Sequence, residues 1–224
     1  MTGRGSIFKA AATTGGATLL SRILGFVRDI MIAAALGAGP LADIFVVAFR
    51  LPNLFRRLFA EGAFSAAFVP LFSKRLEGEG KKAARQMASE VFSALAFALL
   101  IFTALAEMFM PAFVYALAGG FDVGSEKFAQ TVQYARITFP YLGFMSLMAL
   151  FAAVLNATGR FALAGLAPVL LNVVLIAALM LAWGDDRLSL EYLIWGVALA
   201  GFLQLVTLWL GVWRVGLSLS FSRP

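Results

Sequence analysis

Arg22, Arg28, Asp29, Asp43, Arg50, Arg56, Arg57 and Glu61 all fall in the stretch 21–72, which is otherwise apolar enough to belong in a membrane. An ionisable side chain near a bilayer centre costs at least about 2.5–3.5 kcal/mol on insertion scales. Eight such residues in two adjacent segments must therefore line a wet cavity or pair with one another. Five are arginines and three are acids, an excess of two positive charges (5 − 3). A network that only holds helices together tends towards balance. An excess of forked donors suits a polyanion such as phosphate or pyrophosphate. The competing reading is a set of internal salt bridges, of which Arg57 and Glu61, four residues apart, are the best instance. Asp43 reads as an interfacial cap or a gate partner at the outer end, and Arg22 lies where it could snorkel towards headgroups.

The elements that must carry these residues are helices. At about 100° per residue, Ser21, Gly25 and Arg28 share one face of the first segment, with Arg22 and Asp29 on an adjoining strip. In the second segment Asp43, Arg50, Arg57 and Glu61 share one stripe, while Arg56 points away from it. Pro52 cannot donate a backbone hydrogen bond and disfavours helix at the residue before it, so a kink is expected there. A broken helix with polar groups at membrane depth is tolerated beside a cavity or buried in protein, and transporters build midplane sites this way.

The rest of the composition agrees. Of 224 residues 62% are hydrophobic and 13% charged, against about 25% charged in a soluble domain. The mean hydropathy is +0.90. With no Cys and no His, disulfides, thiolate or imidazole metal sites and Ser-His or Cys-His nucleophile pairs are excluded, and no metal or cofactor is expected. The net charge of +6 is explained by topology and an anionic ligand, not by nucleic acid. A span needs about 20 mostly apolar residues, which gives six, near 13–36, 41–72, 88–115, 128–155, 163–183 and 190–212. The start resembles a signal peptide, but the run continues through Arg22, Arg28 and Asp29 and reads as a retained first span. Kinks are expected near Pro111, Pro140 and Pro168.

One set of connections holds Arg4, Lys9, Lys74, Arg75, Lys81, Lys82, Arg85, Arg160, Arg214 and Arg223; the other offers only Lys127 and Arg187. That asymmetry predicts both termini in the cytoplasm. Lys81, Lys82 and Arg85 read as topology signals, with anionic-lipid contact as the alternative. Gly15, Gly16, Gly25 and Gly62 read as close helix packing, and Asn156 and Asn172 as caps or interhelical hydrogen bonds, with a ligand role as the lesser reading. Glu107 reads as interfacial, and Trp183, Trp195, Trp209 and Trp213 as an aromatic belt.

The patterns S-R-x-L-G-F-x-R-D at 21–29 and A-D-x-F-x-V-A-F-R-L-P-N-L-x-R-R-x-F-A-E-G-A-F-S-x-A-F-V-P from Ala42, with I-T-F-P-Y at 137–141 and A-P-x-L-L-N at 167–172, resemble the MurJ/MviN family. These are lipid II flippases of the bacterial inner membrane, within the multidrug, oligosaccharidyl-lipid and polysaccharide exporter superfamily. The resemblance implies an all-α polytopic protein whose six transmembrane helices form one lobe of a two-lobe, alternating-access transporter. Its substrate would be lipid II, an undecaprenyl-pyrophosphate-linked muropeptide moved from the cytoplasmic to the periplasmic leaflet, with membrane lipids as its other partners. By the same resemblance Arg22, Arg28, Arg56 and Arg57 would bind substrate, and Ser21, Asp29, Asp43, Arg50, Asn53 and Glu61 would shape or gate the cavity. The family has about fourteen spans, so this chain looks like an N-terminal lobe with the C-terminal lobe absent. The alternatives are a flippase for another polyprenyl-pyrophosphate oligosaccharide and, in a different class, a membrane-embedded polyprenyl-phosphate enzyme.

Overall fold

The computed structural model of the chain describes the backbone of residues 3–60 and 63–221, with side chains described for these except at 3–14, 51, 53–60, 63 and 65. The described elements are all helices: α1 (Gly3–Leu36), α2 (Pro40–Ala60), α3 (Ala63–Gly78), α4 (Gly80–Met108), α5 (Met110–Leu117), α6 (Glu126–Thr138), α7 (Tyr141–Ala157), α8 (Phe161–Leu181) and α9 (Asp186–Arg214). The six expected spans map onto α1, α2 with α3, α4 with α5, α6 with α7, α8, and α9. Four segments, Gly80–Met108, Glu126–Ala157, Phe161–Leu181 and Asp186–Arg214, are long and apolar enough to cross a membrane. The protein is an all-α, multi-pass membrane protein.

Two of the four expected kinks coincide with helix ends. Phe109, with φ −100° and ψ 14°, separates α4 from α5, and Pro111 opens α5 where its missing N–H costs nothing. Pro140 sits between α6 and α7 as the residue before Tyr141. Pro168 lies inside α8 and Pro52 inside α2, so the helix assignment runs through both. Several helices outrun the apolar windows: α4 begins at Gly80, eight residues before the span expected at 88. Its opening turns, KKAARQMASE, are polar but good helix formers, which a hydropathy window does not register.

Two apolar clusters divide the core along the helix axes. One gathers Ile44, Ala48, Met110, Phe139, Leu142 and Val197; the other gathers Phe72, Leu150, Leu155, Leu208 and Val212. Outside them Phe26, Phe97, Leu100, Met108, Met180 and Leu181 are all more than 60% exposed, the outward apolar surface that a bilayer covers. The four tryptophans also face outward, Trp183 and Trp213 at opposite ends of the helices. Glu107 is half-buried 4.0 Å from Arg136, with its Oε1 buried and unbonded among the described residues.

Candidate functional site: an arginine-lined cavity against α1

The face of α1 marked out by helical spacing is the face that lines a cavity. Ser21, Arg22, Gly25 and Arg28 form one wall of a space of about 360 Å³. Phe49 of α2, Tyr141 and Met145 of α7, Pro168, Leu171 and Asn172 of α8, and Gln204 of α9 complete it.

Arg28 is held in place from two sides. Its Nη1 donates to Asn172 Oδ1 at 2.7 Å, and its Nε and Nη2 donate to Asp29 Oδ1 at 2.9 and 2.7 Å. The Asn172 amide in turn donates from Nδ2 to the Ser21 carbonyl at 2.9 Å, so one side chain of α8 ties points about two turns apart on α1. The Arg28 side chain is 20% exposed and that of Asp29 64%, which leaves the carboxylate as the solvent-facing member. A guanidinium has five N–H donors. Three are spent here, and one on each Nη nitrogen remains. Arg22 is exposed and makes no ion pair or side-chain hydrogen bond among the described residues. The cavity wall thus presents a free guanidinium fork beside a partly committed one, an arrangement suited to an oxyanion with several acceptor atoms.

The other expected positions divide. Asp43 lies away from this cavity and pairs with Lys127, Nζ to Oδ2 2.6 Å, while the same ammonium sits 4.1 Å from the Phe121 ring centroid. This pair joins the start of α2 to the start of α6, so Asp43 does not offset the cavity arginines. Arg50 is exposed and is not among the cavity's lining residues. Asn53, Arg56 and Arg57 belong to α2, but their side chains lie outside the described set, and Glu61 lies outside the described residues altogether. The Arg57–Glu61 pair falls there too.

Two cavity residues carry more than the sequence reading gave them. Asn172, read as a cap or an interhelical hydrogen bond, does bond between helices and is the hub that positions Arg28. Gln204, absent from the expected set, is 1% exposed and donates from Nε2 to the Ala167 carbonyl at 2.6 Å. That bond fixes the amide's orientation and leaves Oε1 buried without a donor among the described residues. The signal was available: Gln204 is the one amide in the apolar run 193–213 of α9.

The Asp43–Lys127 pair yields a first prediction. Its carboxylate is 58% exposed, and exposed pairs contribute only about 0–1 kcal/mol. Lys127→Met should therefore lower the melting midpoint in detergent by no more than a few degrees. A drop matching loss of a buried pair, about 3–5 kcal/mol, would show that the pair is desolvated in the membrane-embedded protein.

Comparison with known proteins places this geometry. The chain is 51% identical over 98% of its length to a probable lipid II flippase MurJ of Rhizobium meliloti (strain 1021), spanning 42% of that relative. It is 40% identical over 89% of its length to the lipid II flippase MurJ of Burkholderia cenocepacia, spanning 39% of that relative. A solved structure of a lipid II flippase MurJ in an inward closed conformation superposes with a TM-score of 0.72 at 27% identity, covering 87% of this chain and 40% of that one. The chain thus spans about two fifths of the length of the relatives it matches. The family model described as lipid II flippase MurJ matches residues 32–223. With that match and relatives of this identity, the arginine-lined bundle belongs to the lipid II flippase MurJ family.

Proposed function

We propose that this chain is the N-terminal lobe of a lipid II flippase, a transporter and not an enzyme. In this reading residues 1–224 act as one six-span unit of a two-lobe protein in the bacterial inner membrane. Both termini of the chain face the cytoplasm, and the remainder of the transporter supplies the opposing lobe. The substrate is the undecaprenyl-pyrophosphate-linked muropeptide, carried from the cytoplasmic to the periplasmic leaflet for cell wall synthesis.

The observation that carries the proposal is the cavity wall of Arg22 and Arg28. Two guanidinium groups project from one face of α1, and Asp29 is the one acid bonded to either among the described residues. A pyrophosphate offers acceptors for a fork at each phosphate, and charge-assisted bonds of this kind are the strong ones. Arg56 and Arg57 are assigned substrate contacts on α2. Ser21, Asp29, Asp43, Arg50, Asn53 and Glu61 are assigned cavity shape or gating. Asn172 joins them as the residue that aims Arg28. Alternating access then requires only that the lobes rock about the bound headgroup, since the helices of one lobe pack as a unit.

The test is reconstitution of the native gene product in vesicles with labelled lipid II on one leaflet. Time-dependent loss of label accessibility, absent from empty vesicles, is the expected result. A protein that moves other polyprenyl-pyrophosphate oligosaccharides but not lipid II would replace the substrate, and release of phosphate or a cleaved lipid product would replace transport with an enzymatic role.

A further inference from the structure

At the end of the bundle where the α3–α4 turn, the α7–α8 turn and the end of α9 meet, a second concavity of about 650 Å³ is lined by Leu76, Lys81, Thr158, Arg160, Arg214 and Val215 among others. It is separate from the cavity on α1 and shares no lining residue with it. Its three cations come from three different parts of the chain, and no acid is among its lining residues. None of the three side chains makes an ion pair or hydrogen bond among the described residues. Neighbouring basic groups at the same end are already committed: Arg75 to Glu79 at 3.3 Å, and Arg85 to the Ser218 carbonyl at 2.7 Å.

Helix dipoles explain the cluster only in part. Arg214 is in the last turn of α9, where a cation is stabilised by the carbonyl end of the helix. Lys81, however, is in the first turn of α4, and Arg160 immediately precedes α8. There the helix end is itself partially positive and a cation is disfavoured. Neither α4 nor α8 has an acid in its first turn or a side-chain cap, and Glu79 is held by Arg75. The concavity therefore collects three formal charges, the positive ends of α4 and α8 and the carbonyl ends of α3, α7 and α9, with no carboxylate in its lining. The backbone also fixes it: Gly159 at φ +76° turns the chain in the left-handed region, and Arg160 N then donates to Leu155 O at 2.8 Å.

We infer that this concavity is a binding site for a phosphate group, supplied by the headgroup of an anionic phospholipid. Two guanidinium forks and an ammonium match the acceptor oxygens of a phosphodiester. Leu76 and Val215 give the same concavity an apolar margin, and the exposed indole of Trp213, beside Arg214, marks headgroup level. In the orientation proposed above, on which the lipid assignment rests, this end meets the cytoplasmic leaflet and its anionic headgroups. The inference does not depend on which substrate the α1 cavity carries.

Retention of phosphatidylglycerol by the native gene product in detergent, measured by native mass spectrometry, tests it. The parent protein should keep phosphatidylglycerol in preference to phosphatidylcholine, and Arg160→Gln with Arg214→Gln should weaken that retention about tenfold or more. Lys74→Gln with Lys82→Gln removes the same charge from exposed positions outside the lining and should leave retention unchanged. Equal losses in the two pairs, or equal retention of the two lipids, would overturn the site. Millimolar inorganic phosphate binding at the parent level, with no preference for phosphatidylglycerol, would overturn the lipid source. Should the arginine pair fail to fold, the salt dependence of lipid retention by the parent decides: a site made of charge loses phosphatidylglycerol as salt rises, and unchanged retention would count against it.

Discussion

Arg28→Ala in the native gene product should abolish rescue of flippase-depleted bacteria while leaving the protein folded and inserted. The side chain donates once to Asn172 and twice to Asp29. Its loss leaves a carboxylate that is already 64% exposed and an amide that still holds Ser21, so no buried charge is stranded. The melting midpoint should fall little. The ligand, by contrast, loses forked charge-assisted bonds worth roughly 1.5–3 kcal/mol each, which is about ten- to a hundredfold in affinity per bond. It also faces Asp29 with its guanidinium partner removed, a like-charge contact that deepens the loss. Arg28→Lys keeps the charge but not the fork and should recover only part of the activity. Full activity in the alanine variant would remove Arg28 from substrate binding. A collapsed melting midpoint would instead make it a structural residue. Asn172→Ala separates these roles further, since it frees Arg28 without removing it and should raise the substrate concentration needed more than it lowers the maximal rate.

Much of this site was legible because charge at membrane depth is costly and so must be placed for a reason. The face of α1 followed from helical spacing alone, and four of its residues line the cavity. What spacing could not supply was the partner of each charge. Asp43 reads as an interfacial cap or a gate partner at the outer end of its span, but its partner there, Lys127, 84 positions away, could not be named. Lys127 reads from the sequence as part of a connection, though it lies in the first turn of α6, and no periodic pattern ties a connection to a span. Asn172 was read as a cap or an interhelical hydrogen bond, and it makes such bonds to α1; Gln204 escaped because an uncharged amide in an apolar run costs far less than a charge and draws less notice. Their roles depend on which helices touch, and α8 packs against α1 and α9. The helix breaks at Phe109 and Pro140 were readable because proline acts locally. The polar opening turns of α4 were not, because hydropathy finds where a helix is buried in lipid, not where it begins.

Gly201→Val should destabilise α9 strongly. A Cβ at this position would stand 2.5 Å from Tyr141 Cδ2 and 3.0 Å from Phe144 Cδ2. Tyr141 is 2% exposed and α7 packs against α9, so its ring can yield only towards the cavity that it lines. Overpacking of this kind costs about 1–3 kcal/mol, and a β-branched residue at a helical position loses most of what replacing glycine gains in helix propensity. Tyr141 also lines the α1 cavity, so a displaced ring enters the site and activity should fall with stability. The contrast is Gly143→Ala on α7, where an added Cβ meets nothing within 4 Å. There the propensity gain stands alone, and stability should rise by up to about 1 kcal/mol. Melting midpoints of the two variants in detergent, read beside flipping rates, test the packing directly. Equal midpoints would mean that α9 can shift away from Tyr141, and the cavity wall would then be softer than the contact at Gly201 implies.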